Sequence, residues 1–182
     1  MIRGSRIGLR HVIEADLPLL ISAAADALIR GDFASTEMRS PHSVRKRFEE
    51  DGFSSDAFER LMICDEQGAV IGDVCHFSER RYASSREIGW FIFDGARRGH
   101  GYASEAAALL IDYLFDSQPV HRLACSVIPE NIASRRVAEK CGFSHEGRSR
   151  ALLFVRGEYR DSDQFSILRP DWEKRRRIGR AE

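Results

Sequence analysis

At 182 residues the chain has the size of one compact domain, and its 43% apolar and 31% charged residues exclude disorder, collagen-like repeats and a coiled coil. Twenty-eight basic residues offset 28 acidic ones, so no positive excess supports sequence-independent nucleic-acid binding. The longest apolar runs, such as Ala106–Ile111, fall far short of the ~20 residues that span a bilayer.

Met1–Arg10 alternates polar and apolar residues and does not read as a secretory leader, so a cytoplasmic location without membrane attachment is expected. Arg6–Ile13 alternates as a strand should. Asp16 is a candidate N-cap for a helix over Leu17–Ala27, with Pro18 in its first turn. A Gly-containing loop over Arg30–Arg39 follows. Ser40-Pro41 then starts a charged helix near His42–Glu50. Arg60–Cys64 and Val70–Phe77 are β-rich runs joined by Asp65-Glu66-Gln67-Gly68, a hairpin signal. Glu87–Phe93 is apolar at nearly every position and is expected to be buried on both faces. Asp94–Gly101 is a Gly/Arg-rich turn, and Tyr102–Phe115 is a helix apolar almost all round, hence central. His121–Ile128 is a strand, and Asn131–Cys141 is a helix closed by Gly142. Ser144–Val155 and Glu158–Leu168 form a hairpin around Arg156-Gly157.

The order β-α-α-β-β-β-α-β-α-β-β predicts one α/β domain over residues 1–170, a mixed sheet of about seven strands with flanking helices. Residues 171–182, with Lys174, Arg175, Arg176, Arg177 and Arg180, read as a short, solvated basic tail. The four cysteines (Cys64, Cys75, Cys125, Cys141) lie in apolar segments with no C-x-x-C pair. Reduced, mostly buried thiols are expected, and no metal site or disulfide framework.

Two constellations can carry chemistry. Arg98-Gly99-His100-Gly101-Tyr102-Ala103-Ser104 stands at a strand-to-helix junction. Glycines there clear the way for backbone N–H groups to converge on an anion at the positive end of the helix dipole, and Arg98 can add a full charge. Tight strand-to-helix turns also use glycine for packing alone. No Gly-Lys-Ser/Thr is present, and the third glycine of a dinucleotide fingerprint is replaced by Ser104. The second constellation is Asn131-Ile132-Ala133-Ser134 followed by Glu139-Lys140-Cys141-Gly142-Phe143. Asn131 and Ser134 can be no more than capping residues. Arg136 and Lys140, four apart on one helix face, suit either a phosphate or open water.

In this order and separation, the two constellations resemble the GNAT superfamily of acetyl-CoA-dependent N-acetyltransferases, and within it the RimJ/RimL-like branch. Glu87-Ile88-Gly89-Trp90 through Glu105-Ala106 is similar to that family's acetyl-CoA strand, pyrophosphate loop and helix. Arg98-x-x-Gly101-x-Ala103 fits its Gln/Arg-x-x-Gly-x-Gly/Ala signature, and the likeness covers roughly residues 6–168. The resemblance implies a strongly twisted sheet splayed between the fourth and fifth strands, Glu87–Phe93 and His121–Ile128, to admit the pantetheine arm of acetyl-CoA. It implies backbone pairing of that arm near Phe91 and Phe93, and a pyrophosphate cradle of Gly99, Gly101, Tyr102, Ala103 and Ser104. Asn131, Arg136 and Lys140 join Arg98 as further candidate cofactor contacts.

The implied reaction is direct attack by an amine on the thioester. It needs an oxyanion donor, a neutral amine and a proton for the sulfur. Where many relatives place a tyrosine one turn after Ser134, this chain has Ala138, which leaves Ser134 as the donor to sulfur. Leu153 stands where ribosomal-protein acetyltransferases of this branch tend to carry a glutamate, so Glu87 and His76 are the remaining candidate bases, each with an ordinary structural reading beside it. Residues 28–58 and the Ser78–Arg86 loop are expected on the acceptor side. The implied partners are acetyl-CoA and an amine acceptor, either a small molecule or a protein N-terminus, with the chain a monomer or homodimer. The competing reading is a non-catalytic acyl-CoA-binding sensor or interaction module.

Overall fold

The protein is described from a computed structural model over residues 1–27, 29–78 and 84–178. In chain order these form β1 (Ile2–Arg3), β2 (Ile7–His11), α1 (Leu17–Ala25), α2 (Pro41–Asp51), β3 (Ser54–Ser55), β4 (Phe58–Asp65), β5 (Val70–Ser78) and β6 (Ser85–Ile92). Then come α3 (Tyr102–Ser117), β7 (Arg122–Val127), α4 (Ile132–Cys141), β8 (Ser144–Val155), β9 (Glu158–Leu168) and α5 (Arg169–Ile178). One sheet runs β1-β2-β4-β5-β6-β7-β9-β8, with β3 paired to β4 off that path. The seven strands expected from the sequence are the long ones, to which β1 and β3 add two-residue pieces. Every pairing is antiparallel except that of β6 with β7.

Local signals account for most boundaries. Ser40 Oγ accepts from Ser43 N at 3.1 Å, Pro41 opens α2, and Gly52 at φ 58° ends it. Asn131 Oδ1 accepts from Ser134 N at 3.1 Å to start α4, and Gly142 at φ 87° stops it. Asp16 departs from expectation, because no side-chain cap is formed at α1. Its carboxylate instead takes two bonds from Arg10, at 2.6 and 2.9 Å, and one from Ile13 N at 2.9 Å. A bidentate pair with a guanidinium outcompetes a single bond to a backbone N–H of the helix.

Alternation along the strands divides the side chains between two cores. Leu61, Ile63, Val74, Ile88, Leu123 and Phe165 face α3, α4 and α5 and join Leu110, Ile111 and Leu114 in the larger core. Met62 faces the other way, with Leu17, Leu20, Val44 and Phe53 from the α1 and α2 side. The expected burial of β6 on both faces is not met: of its residues only Ser85, Ile88 and Ile92 are buried.

The stretch from residue 171 onward also differs from expectation, because residues 171–178 belong to α5. Trp172 is 9% exposed, stacks 5.2 Å from the Phe115 ring and donates Nε1 to Asp112 at 2.6 Å. The arginines of α5 serve the carboxyl ends of other helices. Arg169 donates to the carbonyls of Phe115, Gln118 and Val120 at 2.7–2.9 Å, and Arg175 to that of Cys141 at 2.6 Å. Cations at the negative ends of α3 and α4 are stabilising there, which a charge count does not distinguish from a solvated run. Trp172→Ala should lower the unfolding free energy by about 3–5 kcal/mol, read from urea titration; a change below ~1 kcal/mol would show that α5 is not part of the cooperative unit.

Candidate functional site

β6 and β7 share only three rungs, Ser85↔Arg122, Arg86↔Leu123 and Glu87↔Ala124. Beyond Glu87 and Ala124 they part, each held from its outer side, β6 by β5 as far as Gly72↔Ile92 and β7 by β9 as far as Val127↔Asp163. Between them lies the expected splay, lined by backbone groups with no strand to pair with. Ser84 O accepts from His121 N, whereas Phe93 N donates to Ile71 O on the opposite side of β6. Because ladder bonds alternate from residue to residue, the N–H groups of Trp90 and Ile92 face the gap, and those of Phe91 and Phe93 face β5. The expectation of pairing at Phe91 and Phe93 is thus displaced by one residue. Their rings, 5.5 Å apart, point to the α1 and α2 side.

Both helices that follow the parted strands begin at the gap's open end, since β6 leads into α3 and β7 into α4. Cys141 Sγ lies 3.5 Å from Ser104 O, which ties the last residue of α4 to the first turn of α3. Gly99 and Gly101 adopt φ 80° and 86°, and no side chain caps α3. The N–H groups of Tyr102, Ala103 and Ser104 therefore have no partner from within the helix and stand at its positive end. That is the composition of a diphosphate cradle.

Arg98 is not directed into this loop. Its Nε donates to Ile92 O at 3.0 Å, its guanidinium lies 5.2 Å over the Phe91 ring, and Nη2 reaches Ile29 O at 3.4 Å. The loop is braced by Arg6, which the sequence reading does not find. Arg6 donates to His100 O at 2.9 Å, pairs with Glu105 at 3.0 Å and sits 5.2 Å over the Tyr102 ring. A Cβ added at Gly101 would meet Arg6 Nη2 at 3.2 Å. Arg6 lies in the loop before β2, and no local pattern connects it with a turn almost a hundred residues later.

On α4, Ser134 is half-buried in the first turn, and its hydroxyl makes no hydrogen bond among the described residues. Ala138, one turn on, is fully buried in the larger core. Arg136 and Lys140 are exposed, with Asn131 at the cap.

The two candidate bases fall on opposite faces of the sheet. His76 is 1% exposed beneath α3, with Nε2 2.9 Å from Glu59 Oε2 and Nδ1 buried without a partner. It is a core residue of the face away from α1 and α2, which removes it as a base for the acceptor. Glu87 sits on the last shared rung and, by alternation with Ile88, faces the α1 and α2 side. Across the gap, Ser126 Oγ donates to Gln164 Oε1 at 3.2 Å, and Gln164 Nε2 donates to Ser162 Oγ at 2.9 Å.

Of the expected acceptor segments, Leu28 and residues 79–83 lie outside the described residues. Within the run Arg45-Lys46-Arg47, Arg47 bonds Asp51 and stacks 4.9 Å from Phe58, and Lys46 pairs with Glu50 at 3.8 Å. These contacts stabilise α2 itself.

Residues 6–144 match the family description "Acetyltransferase (GNAT) domain". The probable N-acetyltransferase YjcK of Bacillus subtilis is 39% identical over 106 residues, 58% of each chain. The [ribosomal protein uS5]-alanine N-acetyltransferase of Escherichia coli is 31% identical over 75 residues, 41% of this chain and 39% of that protein. The matched stretch is thus about three-fifths of the length of YjcK and less of the second relative. A spermidine N-acetyltransferase of Vibrio cholerae, crystallised with CoA and spermine, shares the fold at a TM-score of 0.83 and 23% identity, covering 93% of this chain and 99% of that one.

Two buried carboxylates on the α3 side make stability depend on pH. A hydrogen bond from His76 holds Glu59 below its usual 4.5, and Arg148, aided by Arg135, holds Asp163 below 3.8. A depressed carboxylate contributes fully above its unfolded value and loses that contribution as pH falls through the folded one. Urea midpoints should therefore drop on acidification below about pH 4.5. Glu59→Gln should be less stable than wild type at pH 7, with the difference shrinking towards pH 3. A difference independent of pH would contradict this.

Proposed function

This chain belongs to the GNAT acetyltransferase family, and we propose that it is an acetyl-CoA-dependent N-acetyltransferase acting on a primary amine. The observation that carries the reading is the parting of β6 and β7, with α3 and α4 following the two strands and α3 opening on a glycine-rich, uncapped turn. Its residues fit the cofactor at both ends. The amides of Tyr102, Ala103 and Ser104, with Gly99 and Gly101 keeping the approach clear, suit the pyrophosphate. The free N–H groups of Trp90 and Ile92 suit the amide-bearing arm. When bound, acetyl-CoA supplies an activated acetyl thioester.

The chain's own groups then cover the three demands of the chemistry. The N–H of Trp90 offers an oxyanion donor pre-aimed by the strand. Ser134 supplies a hydrogen bond to the departing sulfur, from a hydroxyl without a hydrogen bond among the described residues. Glu87 is the remaining carboxylate of the pair of candidate bases, on the acceptor face at the neck of the gap, and it receives the amine's proton directly or through water. Ala138 leaves no phenol to compete with Ser134, and Leu153 provides no second base.

The acceptor follows from proton energetics. An α-amine with pKa ~7.8 is roughly 14% neutral at pH 7, a cost of ~1 kcal/mol, whereas a lysine-like amine at ~10.4 is about 0.04% neutral, a cost of ~4.6 kcal/mol. With a single candidate base, α-amino acceptors are favoured, in line with the alanine N-terminus named for the Escherichia coli relative.

Thiol release from acetyl-CoA should be faster with α-amino than with ε-amino acceptors at pH 7 and should rise along the acceptor's own titration. Ser134→Ala should lower kcat by about 10²-fold while changing CoA affinity little, since the thiolate develops only late in the reaction. Gly101→Val should instead abolish most CoA binding in calorimetry, because a branched side chain is forced to φ 86° against Arg6. No thiol release with any α-amine would reject the assignment.

A further inference from the structure

Arg156 stands where the backbone disfavours it. Val155 pairs with Glu158, so Arg156 and Gly157 are the central residues of the β8–β9 turn, at φ 53° and 83°. Positive φ at both positions is the type I′ turn, which favours asparagine or glycine first and penalises a long side chain there. Strained residues of this kind cluster at ligand sites, where the side chain is needed in spite of its backbone. Contacts within the chain do not account for this one. Arg156 reaches Gly31 O at 3.4 Å and Asp32 at 3.3 Å, and Asp32 is 81% exposed.

The other half of the split sheet brings a second guanidinium to the same loop. Arg98, fixed to Ile92 O at the end of β6, reaches Ile29 O with Nη2 at 3.4 Å. Its Nη1 donates to nothing among the described residues and lies 3.6 Å from where a Cβ at Gly31 would stand. Gly31, bare of a side chain at φ 75°, thus has Arg98 on one side and Arg156 on the other, no more than about 10 Å apart. Between Ile29 and Gly31, Arg30 keeps Nε and Nη2 buried without an acceptor. Among the described residues these three guanidiniums meet one carboxylate, that of Asp32. Cations this close, with so little to neutralise them, repel one another and attract an anion. Two guanidinium forks suit a carboxylate or a phosphate, whose oxygens accept from both.

The cluster lies at the mouth of the gap. Arg98 covers the Phe91 ring on the α1 and α2 side, and Ile92 is two residues beyond Trp90, a rise of ~7 Å along the strand. Through Ile29 and Gly31 the loop joins the end of β6 to the β8–β9 turn, across the opening between the two halves of the sheet. An acceptor whose amine sits at Trp90 and whose body extends outward on this face brings its far end to the guanidiniums.

We propose that Arg156 and Arg98 bind an oxyanion of the acceptor, so that the substrate is an amine carrying a carboxylate or phosphate about 7 Å away, and polycationic amines are turned away. This rests on the acetyl-transfer reading above.

The test uses two matched pairs of acceptors, alanylalanine against its amide and 5-aminopentanoate against its amide, compared per neutral amine. Wild-type kcat/KM should favour the carboxylate at least tenfold in one pair or both, chiefly through KM, and the pair that shows it identifies a peptide or a non-peptide source. Arg156→Asn should lose most of that ratio and leave the amides within twofold, while its melting temperature rises by ~2–4 °C as turn strain is relieved. Arg156→Lys, which keeps the charge, should keep a preference for the carboxylate. Were Arg156 only an anchor for the loop, Arg156→Asn would melt lower and lose both members of each pair equally. Were the anion a phosphate of the cofactor, KM for acetyl-CoA would rise and the acceptor ratio would hold. Either result, or a wild type without preference in both pairs, overturns the oxyanion subsite and leaves acetyl transfer standing. If wild type releases thiol with no acceptor, acetyl transfer itself fails. Calorimetry of alanylalanine on CoA-loaded wild type and Arg156→Asn then decides the subsite, and equal affinity refutes it. Should Arg156→Asn fail to fold, Arg156→Gly carries the comparison.

Discussion

The parting of β6 from β7 after three rungs is the constraint on which the other features depend. Two parallel strands that stayed paired to their ends would leave no backbone donors free between them. Because they part, two rows of peptide groups are left without a strand to pair with. A split sheet ought to lose cohesion, and α3 prevents it. Ile88 and Ile92 on one side of the gap, and Leu123 and Val127 on the other, share a single core with Ala106, Leu110 and Leu114. The helix therefore clasps both halves from behind while the α1 and α2 face stays open. The apolar all-round character of Tyr102–Phe115 is the sequence trace of that role.

Buried carboxylates are paired on both faces. Beneath α3, Asp163 meets Arg148 and Arg135, and Glu59 lies 2.9 Å from His76. On the other face Asp16 meets Arg10 at 2.6 Å, and Asp73 stands 3.6 Å from Arg60. Burial also pushes the Cys75 thiol on the α1 and α2 side up to about 12, so little thiolate forms there at neutral pH.

What could be read from the sequence was what is local. Strand alternation, the Ser40-Pro41 and Asn131 starts, the Gly142 stop and the glycine loop all appear where periodicity and capping chemistry place them. The misses involve a side-chain partner that no local pattern names or a parity of one residue. Asp16 looked like a cap until Arg10 claimed it. His76 was legible as a mid-strand histidine, but which face it took depended on the register of β5 against β4 and β6. The amides of Phe91 and Phe93 gave way to those of Trp90 and Ile92 because a ladder alternates and a motif does not say in which phase. The basic stretch of α5 carried no helical stripe strong enough to outweigh its charge, and only Trp172 signalled a buried anchor. Arg6 had no local signal at all.

The loop between α1 and α2 adds a last step. It touches the cofactor side through Arg98 to Ile29 O and the β8–β9 turn through Arg156 to Gly31 O, both at 3.4 Å. The Arg156–Asp32 contact is 3.3 Å, with Asp32 largely exposed. Long, solvent-facing bonds of this kind contribute little individually. The glycine loop before α3, by contrast, is gripped by Arg6 at 2.9–3.0 Å on two sides. Arg98 spans the two, because the same guanidinium anchors the end of β6 at Ile92 O and reaches the loop at Ile29 O.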